Sequence, residues 1–100
     1  MIAAFSITPL GVGESVGDLV AEAVGLVRAS GLPNETNAMF TNVEGSWDEV
    51  MGIIKACVDK VGDQAPRVSV VIKLDVRPSV GEGQMAAKVS SIERRQGGGG

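Results

Sequence analysis

Few side chains in this 100-residue chain have reactive chemistry, and their types narrow the options at once. There is one cysteine, Cys57, and no histidine. Without an imidazole, neither a Ser-His-Asp triad nor a histidine acid–base step can be assembled, and zinc sites of the usual Cys/His type are excluded. A lone cysteine also rules out a disulfide within the chain. Cys57 stands among Ile53, Ile54 and Val61 at helical spacing, so it reads as a small core hydrophobe rather than a nucleophile. Asp18, Glu22, Asp48 and Glu49 fall on first turns or exposed faces of predicted helices, where the helix dipole and solvation account for them. Glu44 differs, because it closes a predicted strand beside Thr41, Asn42 and Gly45; strand-end capping and ligand contact are both open to it. Gly11-Val12-Gly13-Glu14 follows a strand and opens a helix, as phosphate-cradling loops do. Its spacing fits neither Gly-x-Gly-x-x-Gly, for which Val16 stands at the third glycine, nor the P-loop, and Glu14 would repel an anion. A tight connection is the better reading.

The elements that must position these residues follow from periodicity. Ile2 to Thr8 is a short apolar run ended by Pro9-Leu10-Gly11, a strand and then a turn. Ile2, Ala4, Ser6 and Thr8 share one face of it, and Ala3, Phe5 and Ile7 the other. A helix follows, with Ser15 as N-cap and Val16, Leu19, Val20, Ala23 and Val27 as its apolar stripe, stopped by Ser30-Gly31 and Pro33. Asn34 to Glu44 carries no helical stripe and predicts two short strands, or one long bent hairpin, with the junction near Met39-Phe40. Ser46-Trp47-Asp48-Glu49 is a capping box, and Val50, Ile53, Ile54, Cys57, Val58 and Val61 form the stripe of a second helix. Arg67 to Arg77 alternates as a strand, with Val68, Val70, Ile72, Leu74 and Val76 expected toward the helices. A weaker third helix is expected over Gln84 to Arg95.

The order β-α-β-β-α-β with an additional C-terminal helix predicts an α/β (α+β) domain of the ferredoxin-like type, with a four-stranded antiparallel sheet under two helices. Residues 1–96 are expected to form one domain, and Gly97–Gly100, a bare glycine run, a tail or an appended linker. On the sheet face away from the helices, Ser6, Thr8, Val71 and Lys73 form a mixed polar and apolar surface, which suits partial burial by a second subunit. Lys73, Asp75 and Arg77 alternate there and could be solvated, pair across strands or line such an interface.

Composition excludes other classes. The net charge is -3, and the only basic cluster is Arg94-Arg95 where a helix would end, so no nucleic-acid partner is expected. No apolar run approaches the roughly 20 residues that span a bilayer, so no membrane partner is expected. The start lacks the basic segment of a secretory leader, and a cytoplasmic location is the default expectation.

Three segments carry a family resemblance: Met1-Ile2-Ala3-Ala4-Phe5-Ser6-Ile7-Thr8-Pro9-Leu10-Gly11, Asn37 to Val50 and Arg67 to Arg77. The middle one, Met39-x-Thr41-x-x-Glu44-Gly45 followed by Trp47-Asp48-Glu49, is the most specific. Together they resemble the thiamine-binding protein family, over Met1 to about Arg95. That resemblance implies the ferredoxin-like fold, dimers assembled into tetramers, and binding of thiamine or its hydroxymethylpyrimidine half without catalysis. Carried residue by residue, it implies a ligand site of Ser6 and Thr8 on the first strand, and of Asn37, Met39, Thr41 and Glu44 in the hairpin. Hydroxyl, amide and carboxylate groups there could read the edge of an aminopyrimidine, while Met39 or Phe40 packs on its face. Glu44 would then favour the cationic thiazolium over phosphate esters. No cofactor beyond thiamine as ligand is implied. The competing reading is an oligomeric regulatory or scaffold domain with no small ligand.

Overall fold

A computed structural model describes residues 1–78 of the chain, together with Met85 and Ile92. Four strands and two helices appear in the expected order: β1 (Ile2–Leu10), α1 (Val16–Ala29), β2 (Asn34–Thr36), β3 (Thr41–Glu44), α2 (Trp47–Gly62) and β4 (Arg67–Asp75). A single 3-10 turn, Gly13–Ser15, leads into α1. The strands make one antiparallel sheet in the order β2-β3-β1-β4, which is the ferredoxin-like arrangement. The third helix expected over Gln84–Arg95 lies outside the described residues except at Met85 and Ile92, both helical. The Gly97–Gly100 tail lies outside them too.

Helix α2 starts where its sequence says it should. The Ser46 side chain accepts from the Glu49 backbone N–H at 3.2 Å, and the Glu49 carboxylate accepts from the Ser46 N–H at 3.0 Å. Both bonds satisfy backbone donors that a helix end otherwise leaves to solvent. Helix α1 is different: Ser15 occupies the N-cap position, but its side chain makes no capping bond. The preceding 3-10 turn already puts Ser15 in helical geometry, with its N–H bonded to the Val12 carbonyl, so the hydroxyl is not presented to the first turn. Gly31 stops α1 with a φ of +81°, a left-handed conformation that favours glycine.

One face of the sheet is covered. Ala3, Phe5 and Ile7 of β1 and Val43 of β3 meet Leu19, Ala23 and Val27 of α1 and Val50, Ile54, Cys57 and Val61 of α2. Cys57 is fully buried; its thiol lies 3.4 Å from the Ala23 carbonyl oxygen, and burial pushes its pKa up, which disfavours the thiolate. The helix-facing set of β4 is only partly as expected. Val68, Val70 and Leu74 pack on the core, whereas Ile72 is exposed and Val76 lies beyond the strand. The reason is position: β4 is an outer strand, so the helices cover it incompletely. Among the described residues no helix is long and apolar enough to cross a membrane.

Strand length shapes the rest. β1 pairs with β4 over its whole length, from Ile2↔Asp75 to Leu10↔Arg67. On its other side it pairs with β3 only from Ile2↔Glu44 to Phe5↔Thr41. Past Phe5, no strand lies beside that edge of β1 among the described residues.

Removing the α2 cap tests the local account. Ser46→Ala is expected to lower the melting temperature by about 4–8 °C, the shift of a ~1 kcal/mol cap loss in a domain this small. The backbone N–H of Ser46, and then its hydroxyl, hold the Glu49 carboxyl below its ordinary pKa. A depressed carboxyl stabilises the fold above the usual carboxylate range and loses that contribution as pH falls through it. Thermal melts at neutral and acidic pH are therefore expected to show a smaller Ser46→Ala penalty in acid.

Candidate functional site

The site begins with one side chain that shapes backbone. Asn37 ends β2, and its Oδ1 accepts from the N–H groups of Met39 at 2.8 Å and Phe40 at 2.9 Å. The Asn37 N–H also donates to the Phe40 carbonyl at 3.0 Å. Asparagine favours such turns because its short amide can bond backbone two or three residues on. The hairpin junction is therefore a turn over residues 37–40, and Met39 and Phe40, which the sequence reading placed near the strand junction, lie in it. Below the turn the hydroxyls of Thr36 and Thr41 bond each other at 3.2 Å.

Because the turn uses residues 37–40, β3 starts only at Thr41, and a cleft opens between the free edge of β1, the turn and α1. Its volume is about 220 Å³. Val20, Ala23, Val24 and Val27 of α1 supply an apolar floor, continued by Phe5 and Ile7 of β1. Ala38, Met39 and Phe40 close it from the turn. Ser6 and Thr8, Thr36 and Thr41, and Asn37 add polar atoms at the rim. A slot at a strand edge can be bordered from both faces of that strand, which is how Phe5 and Ser6 line the same cleft despite the pleat.

Of the six candidate residues, the fold gathers five around this cleft: Ser6, Thr8, Asn37, Met39 and Thr41. Their freedom to bind differs. The Oδ1 of Asn37 is engaged in the turn, which leaves its Nδ2 amide hydrogens as the available group. The Thr36–Thr41 pair uses one hydroxyl hydrogen and leaves the other for a ligand. Met39 is 73% exposed at the mouth. Glu44 stands apart from the five. It sits at the far end of β3, roughly 10 Å along the strand from Thr41, is 3% exposed, and lines a different cavity with Gly31, Leu32, Pro33, Gly45 and Glu49. Its carboxylate accepts from the Met85 backbone N–H at 3.3 Å.

The separation of Glu44 changes the electrostatics of the cleft. Among the described residues, none of those lining the cleft is ionisable. Among the described residues the cleft carries no counter-charge for a thiazolium and no cation for a phosphate, and Glu44, which the resemblance implied as a ligand contact, lines the other cavity. Sequence reasoning missed the floor from α1, whose apolar residues it read only as a stripe for packing. Val20 belongs to the predicted apolar stripe of α1 and Val24 stands one turn further on, and nothing in their type separates packing from ligand contact. Among the described residues no group of three or more potential metal ligands stands together.

The fold and cleft define a class: a small ferredoxin-like domain with a neutral, largely apolar cleft at the open edge of its first strand. Within that class the chain belongs to the thiamine-binding protein family, whose profile matches residues 3–93. It is 55% identical over 95 residues to the UPF0045 protein Mb1933 of Mycobacterium bovis, covering 94% of this chain and 92% of that one. Its fold is similar to the crystal structure of the hypothetical protein MJ1052 from Methanocaldococcus jannaschii, with a TM-score of 0.81 and 34% identity over 92% of this chain and 94% of that one. A Thermotoga maritima protein with a suggested place in thiamine biosynthesis or salvage shares the fold at a TM-score of 0.74, covering 88% of this chain and 96% of that one; the 17% identity supports the fold alone.

The turn analysis makes a testable distinction. Asn37→Asp keeps an acceptor for the Met39 and Phe40 N–H groups, whereas Asn37→Ala removes it. Hydrogen exchange at those two amides is expected to stay slow in Asn37→Asp. In Asn37→Ala it is expected to accelerate about tenfold, the equivalent of one ordinary hydrogen bond.

Proposed function

We propose that this protein is a non-enzymatic small-molecule binder that takes thiamine through its hydroxymethylpyrimidine half, in the cleft between β1, α1 and the 37–40 turn. The observation that carries the reading is the character of that cleft. Among the described residues its lining is uncharged, its floor is aliphatic, and its rim offers hydroxyl and amide groups from Ser6, Thr8, Thr41 and Asn37. Such a site suits a flat neutral ring with a polar edge. At about 220 Å³ it is smaller than the 300–1,000 Å³ typical of drug-sized ligands, and so fits one ring better than a whole two-ring vitamin. Family membership supports the same chemistry.

The proposal includes a homo-oligomer, a dimer or tetramer, and a cytoplasmic location. Val71, 55% exposed on the sheet face away from the helices, supports burial of that face by another subunit. The same exposure favours a second reading, an oligomeric regulatory or scaffold domain that binds no small ligand. Calorimetric titration separates the two. Hydroxymethylpyrimidine and thiamine are expected to bind, and thiamine diphosphate far more weakly, since no cation in the cleft meets its phosphates. Val24→Trp, which fills the cleft from the half-buried face of α1, is expected to abolish binding while the melting temperature holds. Glu44→Gln is expected to leave the affinity unchanged. No heat at millimolar hydroxymethylpyrimidine or thiamine would reject the binding reading in favour of the scaffold.

A further inference from the structure

The ladder around β1 identifies which backbone groups face the cleft. In an antiparallel pair, a residue that exchanges hydrogen bonds with one neighbouring strand turns both its N–H and its C=O to that side, and alternate residues turn to the other. The Gly45 N–H donates to the Met1 carbonyl at 3.1 Å, which continues the Ile2↔Glu44 register by one residue. Met1 is thus bonded toward β3, and by alternation so are Ala3, opposite Val43, and Phe5, opposite Thr41. The same alternation on β3 is independently fixed by the Glu44 N–H, which donates the other way, to the Pro33 carbonyl of the β2 side, at 2.9 Å.

The next residue of β1 turned toward β3 is Ile7. In register its partner would be Met39, but Met39 belongs to the turn, with its own N–H bonded to Asn37. Among the described residues no hydrogen bond reaches the Ile7 N–H or C=O from that side. Ile7 is only 8% exposed and lines the cleft. A donor and an acceptor on one buried residue, held in place by the β4 ladder behind them, therefore point into a slot with an aliphatic floor. Backbone polar groups so placed are costly to leave without a partner.

We propose that the Ile7 backbone is the reading edge of the site: its N–H donates to a ring nitrogen and its C=O accepts from the adjacent exocyclic amine of an aminopyrimidine, so that the ligand completes the ladder where β3 leaves off. This rests on the binding reading above and sharpens it to a ligand class. The cleft takes planar heterocycles that present an acceptor directly beside an N–H donor. Selection is by main chain, which explains why the cleft needs no charged side chain. The hydroxyls of Ser6 and Thr8 flank this edge rather than form it.

The test deletes one atom group. Replacing Ile7 by the corresponding α-hydroxy acid turns the Ser6–Ile7 peptide bond into an ester and removes that N–H, which has no protein partner to lose. The ester protein is expected to stay folded, with a melting temperature lowered only by the weaker ester carbonyl of Ser6 in the β4 ladder, and to bind hydroxymethylpyrimidine about tenfold more weakly, the loss of one hydrogen bond. Equal affinity in the ester protein would overturn this inference while leaving the binding reading intact. Absence of binding to the parent would overturn both. Should the ester protein not fold, the parent alone decides through the ligand: deamino-hydroxymethylpyrimidine is expected to bind about tenfold more weakly than the amine, and equal binding would overturn the role of the Ile7 carbonyl.

Discussion

Two hydrogen bonds from the Asn37 side chain decide where β3 can begin, and much of the chemistry of this domain depends on that point. By accepting from the Met39 and Phe40 N–H groups, the amide oxygen commits residues 37–40 to a turn. β3 is then four residues long, against nine in β1 and β4. The sheet is full on the β4 side of β1 and short on the β3 side. A cleft exists because a strand stops early, not because a loop wanders.

The rest of the fold keeps that gap from collapsing. β1 is held rigid along its whole length by β4. α1 is anchored through Leu19, Ala23 and Val27 to the core, and its half-buried neighbours Val20 and Val24 cross beneath the open edge. The capping box and the buried stripe of α2 contribute stability without touching the cleft. The described residues of α2 and β4 thus lie apart from the cleft, which is bordered by the β1 edge, α1 and the turn.

The displacement of Glu44 from the cleft follows from the same geometry. In sequence it stands three residues after Thr41 and reads as part of one constellation. Along a strand, three residues is roughly 10 Å and a change of face. Thr41 is paired with Phe5 beside the cleft, whereas Glu44 is paired with Ile2 at the opposite end of the short ladder. Its buried carboxylate is occupied with the Met85 backbone N–H.

Much of the fold was legible from local signals. The α2 capping box, the two helical stripes, the alternation of β1 and the order of elements each rest on interactions between residues close in sequence, and such interactions leave a pattern in the chain. The core role of Cys57 was legible for the same reason. The hairpin junction was legible in principle, since Asn37 is a turn residue, but its partners could not be known without the backbone path. What only the tertiary structure decided is non-local. It placed valines of α1 under the edge of β1, left Ile72 exposed on an outer strand, and sent Glu44 and Thr41 to different cavities. Above all, it set the register that ends β1–β3 pairing at Phe5 and turns the Ile7 main chain into the cleft. A backbone N–H and C=O are the same in every residue, so no sequence pattern can mark a pair that the strand register leaves facing the cleft.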